Sequence, residues 1–167
     1  VIVGGGTEQR AIAEAELFDP ATGQFKALPQ SGQARFKHGA ALLPSGDVII
    51  VGGSDAGGGA ARGRLGSTEI FSPRALQFRD GPPLADPRYK LLPSTIALPG
   101  GAIVVASGGS NAEILRPGTT AFAPVATAYD RRRDYMAAIA LDDRRVLVTG
   151  GYDEAIATTD RAWIVEG

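Results

Sequence analysis

Four apolar runs in this chain end in a glycine pair: VIVGG (1–5), VIIVGG (48–53), IVVASGG (103–109) and VLVTGG (146–151). The second glycines stand at 5, 53, 109 and 151, steps of 48, 56 and 42 residues. Self-similarity at such a period means that one supersecondary unit is used several times. A second phrase follows three of the pairs: AELFDPATGQF (15–25), TEIFSPRALQF (68–78) and AEILRPGTTAF (112–122). In each, proline comes four residues after glutamate and phenylalanine nine residues after it.

A third segment precedes the later pairs. RFKHGAALLPSGDVIIVGG from Arg35 and RDYMAAIALDDRRVLVTGG from Arg133 align without a gap, and PRYKLLPSTIALPGGAIVVASGG, with its Arg88, follows with a few extra residues. Each unit reads as four short strands. Turns fall at PSGD, LPGG and DDRR, then at DPATG, SPRAL and RPGTT. The opening VIVGGGTEQR could by itself start a dinucleotide-binding unit, which needs a glycine-rich turn followed by a helix. The other pairs lead into SDAGGGAARG, SNAE and YDEA, none of which starts a helix. The glycines are therefore architectural.

Composition agrees. Among 167 residues there are 23 glycines and 11 prolines, which favours short strands and turns over a helical bundle. A net charge of −1 gives no general attraction to nucleic acid, and no apolar run is long enough for membrane insertion. There is no cysteine, and His38 is the only histidine, which removes disulfides, thiolate chemistry and most zinc or copper sites. Catalytic residues, metal and cofactor are all expected to be absent. Because Val1 lies inside a strand pattern, the chain reads as a piece of something longer.

A glycine pair, a period near fifty residues and two aromatics seven residues apart resemble the kelch repeat of β-propellers. Phe18/Phe25 and Phe71/Phe78 stand where kelch units carry Tyr and Trp, and Leu115/Phe122 is the weakest copy. The resemblance implies an all-β chain, a β-propeller built of four-stranded antiparallel blades. The units are a partial blade at 1–29, blades at 33–81 and 86–126, and a partial blade at 131–167. Together they would be an incomplete segment of a six- or seven-bladed ring, which flanking blades or self-association would close. Second strands covered on both faces should read as continuous apolar runs, as Val48–Val51, Ile103–Ala106 and Val146–Val148 do. Innermost strands should carry small residues, as GAAL (39–42) and AAIAL (137–141) do, while LLPSTIAL (91–98) is bulkier. The phrasing is similar to bacterial kelch-like proteins, which suggests an extracellular or cell-envelope location.

In propellers of this type, one face carries the loops between strands 2 and 3 and between units. Arg62, Arg64, Arg131 and Arg132 fall there without recurring, and are the expected ligand- or partner-binding residues. Arg35, Arg88 and Arg133 recur at one repeat position and are expected to be structural, pairing with a neighbouring blade or covering carbonyls. Glu16, Glu69 and Glu113 recur likewise. His38 is expected to be a hydrogen-bonded core residue and Trp163 a strand aromatic packed between blades. The glycine-rich loop 54–67 is long enough to be functional.

Two functions compete. The first is a non-catalytic binding scaffold, not an enzyme, that presents loops to a protein or carbohydrate partner. The alternative is a segment of a larger kelch-like enzyme of the copper oxidase type. The resemblance implies that such a site needs a tyrosine-linked cysteine and histidine ligands, so the catalytic residues would lie outside this chain.

Overall fold

The computed structural model describes residues 1–7, 9–56, 63–126 and 129–167. Among them there is no helix; fourteen strands form four antiparallel sheets. The first sheet joins Ile2–Val3 (β1), Ala15–Asp19 (β2) and Gln24–Ala27 (β3). The second runs in chain order through Gly39–Leu42 (β4), Val48–Val51 (β5), Thr68–Ser72 (β6) and Gln77–Asp80 (β7). Thr95–Ala97 (β8), Ile103–Val105 (β9), Ala112–Leu115 (β10) and Ala123–Val125 (β11) form the third. Ala137–Ala140 (β12), Arg145–Thr149 (β13) and Ala162–Glu166 (β14) form the fourth.

Alternation along each strand decides which layer a side chain enters. In β9, Ile103 and Val105 join Ile49, Val51, Ile70, Leu91 and Phe122 in a core between the second and third sheets. Val104 joins Ala106, Ile114, Met136, Val146, Val148 and Val165 in a core between the third and fourth. The third sheet is therefore covered on both faces, which is why its middle strands carry no polar alternation except Glu113. The first strands of successive sheets lie side by side: Leu91 donates its N–H to the Lys37 carbonyl, and Ala138 donates to that of Pro93. Small side chains in β4 and β12 permit this approach. The bulky Leu91 and Leu92 precede β8, so the strand itself is only TIA; Leu91 drops into the core and Leu92 stays exposed.

The glycine pairs hook each unit to the next. Gly5, Gly53 and Gly108 donate their N–H groups to the carbonyls of Arg35, Arg88 and Arg133, at 2.9, 2.8 and 2.8 Å. Gly53 has φ 96°, and a Cβ there would sit 2.8 Å from the Phe36 carbonyl oxygen. Only glycine allows both the conformation and the approach.

The recurring arginines pair within their own sheet rather than with a neighbouring one. Arg35 Nη2 meets Glu69 at 2.8 Å and Arg88 Nη2 meets Glu113 at 2.7 Å, in both cases with buried side chains. The fourth sheet departs from the pattern. Trp163 occupies the register position of Glu69, Arg133 stacks over its ring at 5.8 Å, and Arg133 pairs with Asp130 instead. Trp163 also meets Tyr129 edge-on at 5.2 Å.

His38 corrects its expectation. Its Nδ1 is buried without a hydrogen-bond partner among the described residues. Desolvation, with a smaller contribution from the Arg35 charge, lowers its pKa to about 4, so the ring is neutral at pH 7.

Candidate functional site

After each recurring arginine the backbone makes one unusual step. Lys37, Lys90 and Tyr135, each two residues past Arg35, Arg88 and Arg133, have φ of 54°, 60° and 56°. Left-handed backbone is strained for a non-glycine residue, and such strain concentrates at sites where a side chain must be aimed. Here it turns Lys90 and Tyr135 toward one cluster between the third and fourth sheets.

Lys90 Nζ is its centre. The ammonium lies 4.7 Å from the ring centres of Tyr89 and Tyr152, 5.6 Å from that of Tyr135, and 3.4 Å from Asp134 Oδ2. Ring faces carry negative potential and attract a cation, more so when it is desolvated. Burial opposes the charge on Lys90, but the Tyr152 and Tyr89 hydroxyls and the Asp134 carboxylate outweigh it and hold the pKa above the ordinary lysine range. The Tyr135 phenol is also pushed up, first by desolvation and then by Tyr152. A backbone bridge between Asp134 and Tyr152 fixes the two residues on either side of the ammonium.

Tyr89, Lys90, Asp134 and Tyr152 line a cavity of about 410 Å³ with Arg64, Asp153, Glu154 and Ile156. Ile156, at φ 63°, is a further strained position at its rim. Arg64 stacks over Tyr89 at 4.9 Å and reaches Asp134 at 4.0 Å. Arg64 Nε and Asp134 Oδ1 are buried with no hydrogen-bond partner among the described residues. Two cations against three carboxylates leave no field that selects a phosphate. A donor, an acceptor and tyrosine faces suit a neutral, hydroxyl-bearing molecule.

Of the four arginines singled out from the sequence, Arg64 sits in this cavity. Arg131 and Arg132 line an adjoining groove of about 310 Å³ with Asp153, Glu154 and Ala155. Both already hold carboxylates: Arg131 meets Asp153 at 2.9 Å, and Arg132 meets Asp86 at 2.7 Å and the Gly108 carbonyl at 2.6 Å. Asp153 lies below the usual carboxylate range because the Ala157 amide, Arg131 and the Ala155 amide all bond to it. Arg62 lies outside the described residues. Sequence reasoning missed Tyr89, Asp134, Tyr135 and Tyr152. The available signal was the aromatic content of the repeated RFK, RYK and RDY triplets.

No protein-family model matches the chain, and no curated protein matches it in sequence. Among solved structures, the chain is similar to one described as a novel fungal alcohol oxidase with catalytic diversity among the AA5 family, in complex with copper. The TM-score is 0.68 at 16% identity, over 99% of this chain and 39% of that one. The likeness is one of fold, and the chain spans well under half the length of that protein. The expectation of a chain that is not an enzyme no longer stands, because the architecture it matches belongs to one. The residues present do not fit copper. The sequence has no cysteine and one histidine, and the described residues contain no group of three or more His, Cys, Asp or Glu side chains able to hold a metal.

Proposed function

We propose that the chain is a segment of a larger enzyme of the copper alcohol oxidase type, with its four sheets serving as consecutive kelch-type blades of a β-propeller and the catalytic residues outside residues 1–167. The observation that carries this reading is the superposition of nearly the whole chain on part of an alcohol oxidase. The sheet sequence supports it: four antiparallel sheets in chain order, each hooked to the next by a glycine N–H. In this reading the donor set falls to other parts of the polypeptide, as the chain's own residues require. The chain supplies rigid sheets and, through Arg64, Asp134, Tyr89 and Tyr152, a wall for a hydroxyl-bearing substrate.

The test is copper-dependent oxygen uptake on a primary alcohol by the longer polypeptide that contains residues 1–167, with this chain alone as control. Uptake by the longer polypeptide and none by the chain is the expected result. A longer polypeptide that neither binds copper nor oxidises an alcohol overturns the proposal.

A further inference from the structure

Left-handed backbone is least tolerable at a β-branched residue, whose crowded Cβ meets the following carbonyl. Ile156, at φ 63°, is the one β-branched residue with positive φ among the described residues. The loop around it is built to hold it there. Asp153 Oδ1 accepts the N–H groups of Ala155 and Ala157, both at 3.0 Å. Ile156 donates its own N–H to the Asp153 carbonyl at 3.0 Å, and Asp153 donates to that of Ala157 at 3.1 Å. Asp153 Oδ2 meets Arg131 at 2.9 Å, which ties the loop to the connector before β12.

Burial does not offset this strain. Ile156 is 68% exposed and belongs to neither hydrophobic core. A strained residue that its surroundings over-determine, and that the core does not use, marks a site. Ile156 is also the one aliphatic side chain among the described residues that line the cavity of about 410 Å³. The polar lining points the same way. Arg64 Nε and Asp134 Oδ1 are a donor and an acceptor without a partner among the described residues, and the Asp134 side chain is only 9% exposed. One hydroxyl satisfies both, accepting from Arg64 and donating to Asp134. A ligand with a single hydroxyl leaves its apolar body to Ile156. A polyol turns further hydroxyls toward a side chain that offers them no partner, at a cost in desolvation.

We propose that Ile156 is the specificity-determining residue of this cavity, selecting an alcohol whose hydroxyl is carried on an aryl or alkyl body over a polyhydroxylated one. The inference deepens the substrate wall proposed above and rests on it, but not on copper or on oxidation.

The probes are benzyl alcohol and glycerol, each titrated into the metal-free longer polypeptide that contains residues 1–167 and followed by ligand-observed NMR saturation transfer. Glycerol is expected to bind at least about ten-fold more weakly than benzyl alcohol. Ile156→Asn should weaken benzyl alcohol about five-fold or more, the loss of one aliphatic contact, while Ile156→Leu retains the affinity. Asparagine accepts left-handed backbone more readily than isoleucine, so Ile156→Asn relieves the strain, and its melting temperature should be no lower than that of the parent protein. That combination, a fold at least as stable with a weaker ligand, is what a merely structural isoleucine would not give. Benzyl alcohol binding indifferent to Ile156→Asn, glycerol binding as tightly as benzyl alcohol, or binding of neither overturns the proposal. Oxygen uptake is read separately. An oxidase whose alcohol affinity ignores Ile156 overturns this inference alone, and selective binding without oxidation overturns the oxidase reading alone.

Discussion

Arg88 and Glu113 form an ion pair at 2.7 Å with neither side chain more than 1% exposed, and each also bonds to backbone groups of its own sheet and the connector before it. Arg88 Nη1 donates to the carbonyls of Ser107 and Asn111, while Glu113 accepts the Ala85 and Asp86 amides. The pair thus ties the connector before β8 to the middle of its sheet. Breaking one partner leaves the other charge buried and unpaired, which costs about 3–5 kcal/mol. Glu113→Gln should lower the unfolding free energy by that order, read as a fall in the urea midpoint at unchanged slope. The double variant Arg88→Met/Glu113→Leu should cost less than the sum of its single changes, and strict additivity would deny the coupling.

The hooks between units predict an ordering among glycines. Gly53 and Gly46 both have left-handed backbone, φ 96° and 84°, but a Cβ at Gly53 meets the Phe36 carbonyl whereas one at Gly46 meets nothing within 4 Å. Gly46→Ala should cost about 1 kcal/mol, the conformational strain alone. Gly53→Ala should cost at least about 2 kcal/mol more, since backbone must move. Equal losses in thermal unfolding would show that the glycine pairs serve conformation and not close approach.

Much of this was legible in the sequence because repetition amplifies weak signals. Val48–Val51 and Ile103–Val105 read as covered strands, and they are buried between sheets. The structural role of Arg35 and Arg88 followed from their recurrence, although not their partner. A register contact between Arg35 and Glu69, 34 positions apart, leaves no local pattern. The Lys90 cluster was hidden for a related reason. Tyr89 precedes the third sheet while Tyr135 and Tyr152 flank strands of the fourth, and the left-handed step that aims Lys90 and Tyr135 has no signature in residue type.

The Lys90 cluster can be tested against its own repeat. Lys37 occupies the same position with the same backbone, yet meets one ring, Phe36 at 5.2 Å. Lys90→Met should therefore destabilise by about 1–2 kcal/mol, and Lys37→Met by less than about 0.5 kcal/mol. Guanidinium unfolding of the two variants at pH 7 compares them directly. Similar losses would mean that the three tyrosines do not hold the ammonium.

His38 gives the chain a pH dependence with a defined sign. Its folded pKa, about 4, lies below the unfolded value near 6.5, so between them the unfolded chain binds a proton that the native chain does not. Stability therefore falls as pH drops through that window, by on the order of 3 kcal/mol when the drop is complete. Above pH 7 both states are neutral at this position and the contribution is flat. His38→Gln should remove this portion of the slope in urea midpoints between pH 4.5 and 7, leaving the carboxylate transitions at lower pH. Asp130 and Asp153, whose pKa values are held down by Arg133 and by the Ala157 amide respectively, lose their stabilisation only at more acid pH. An unchanged slope in the variant would mean that the imidazole finds a proton-accepting partner when it charges.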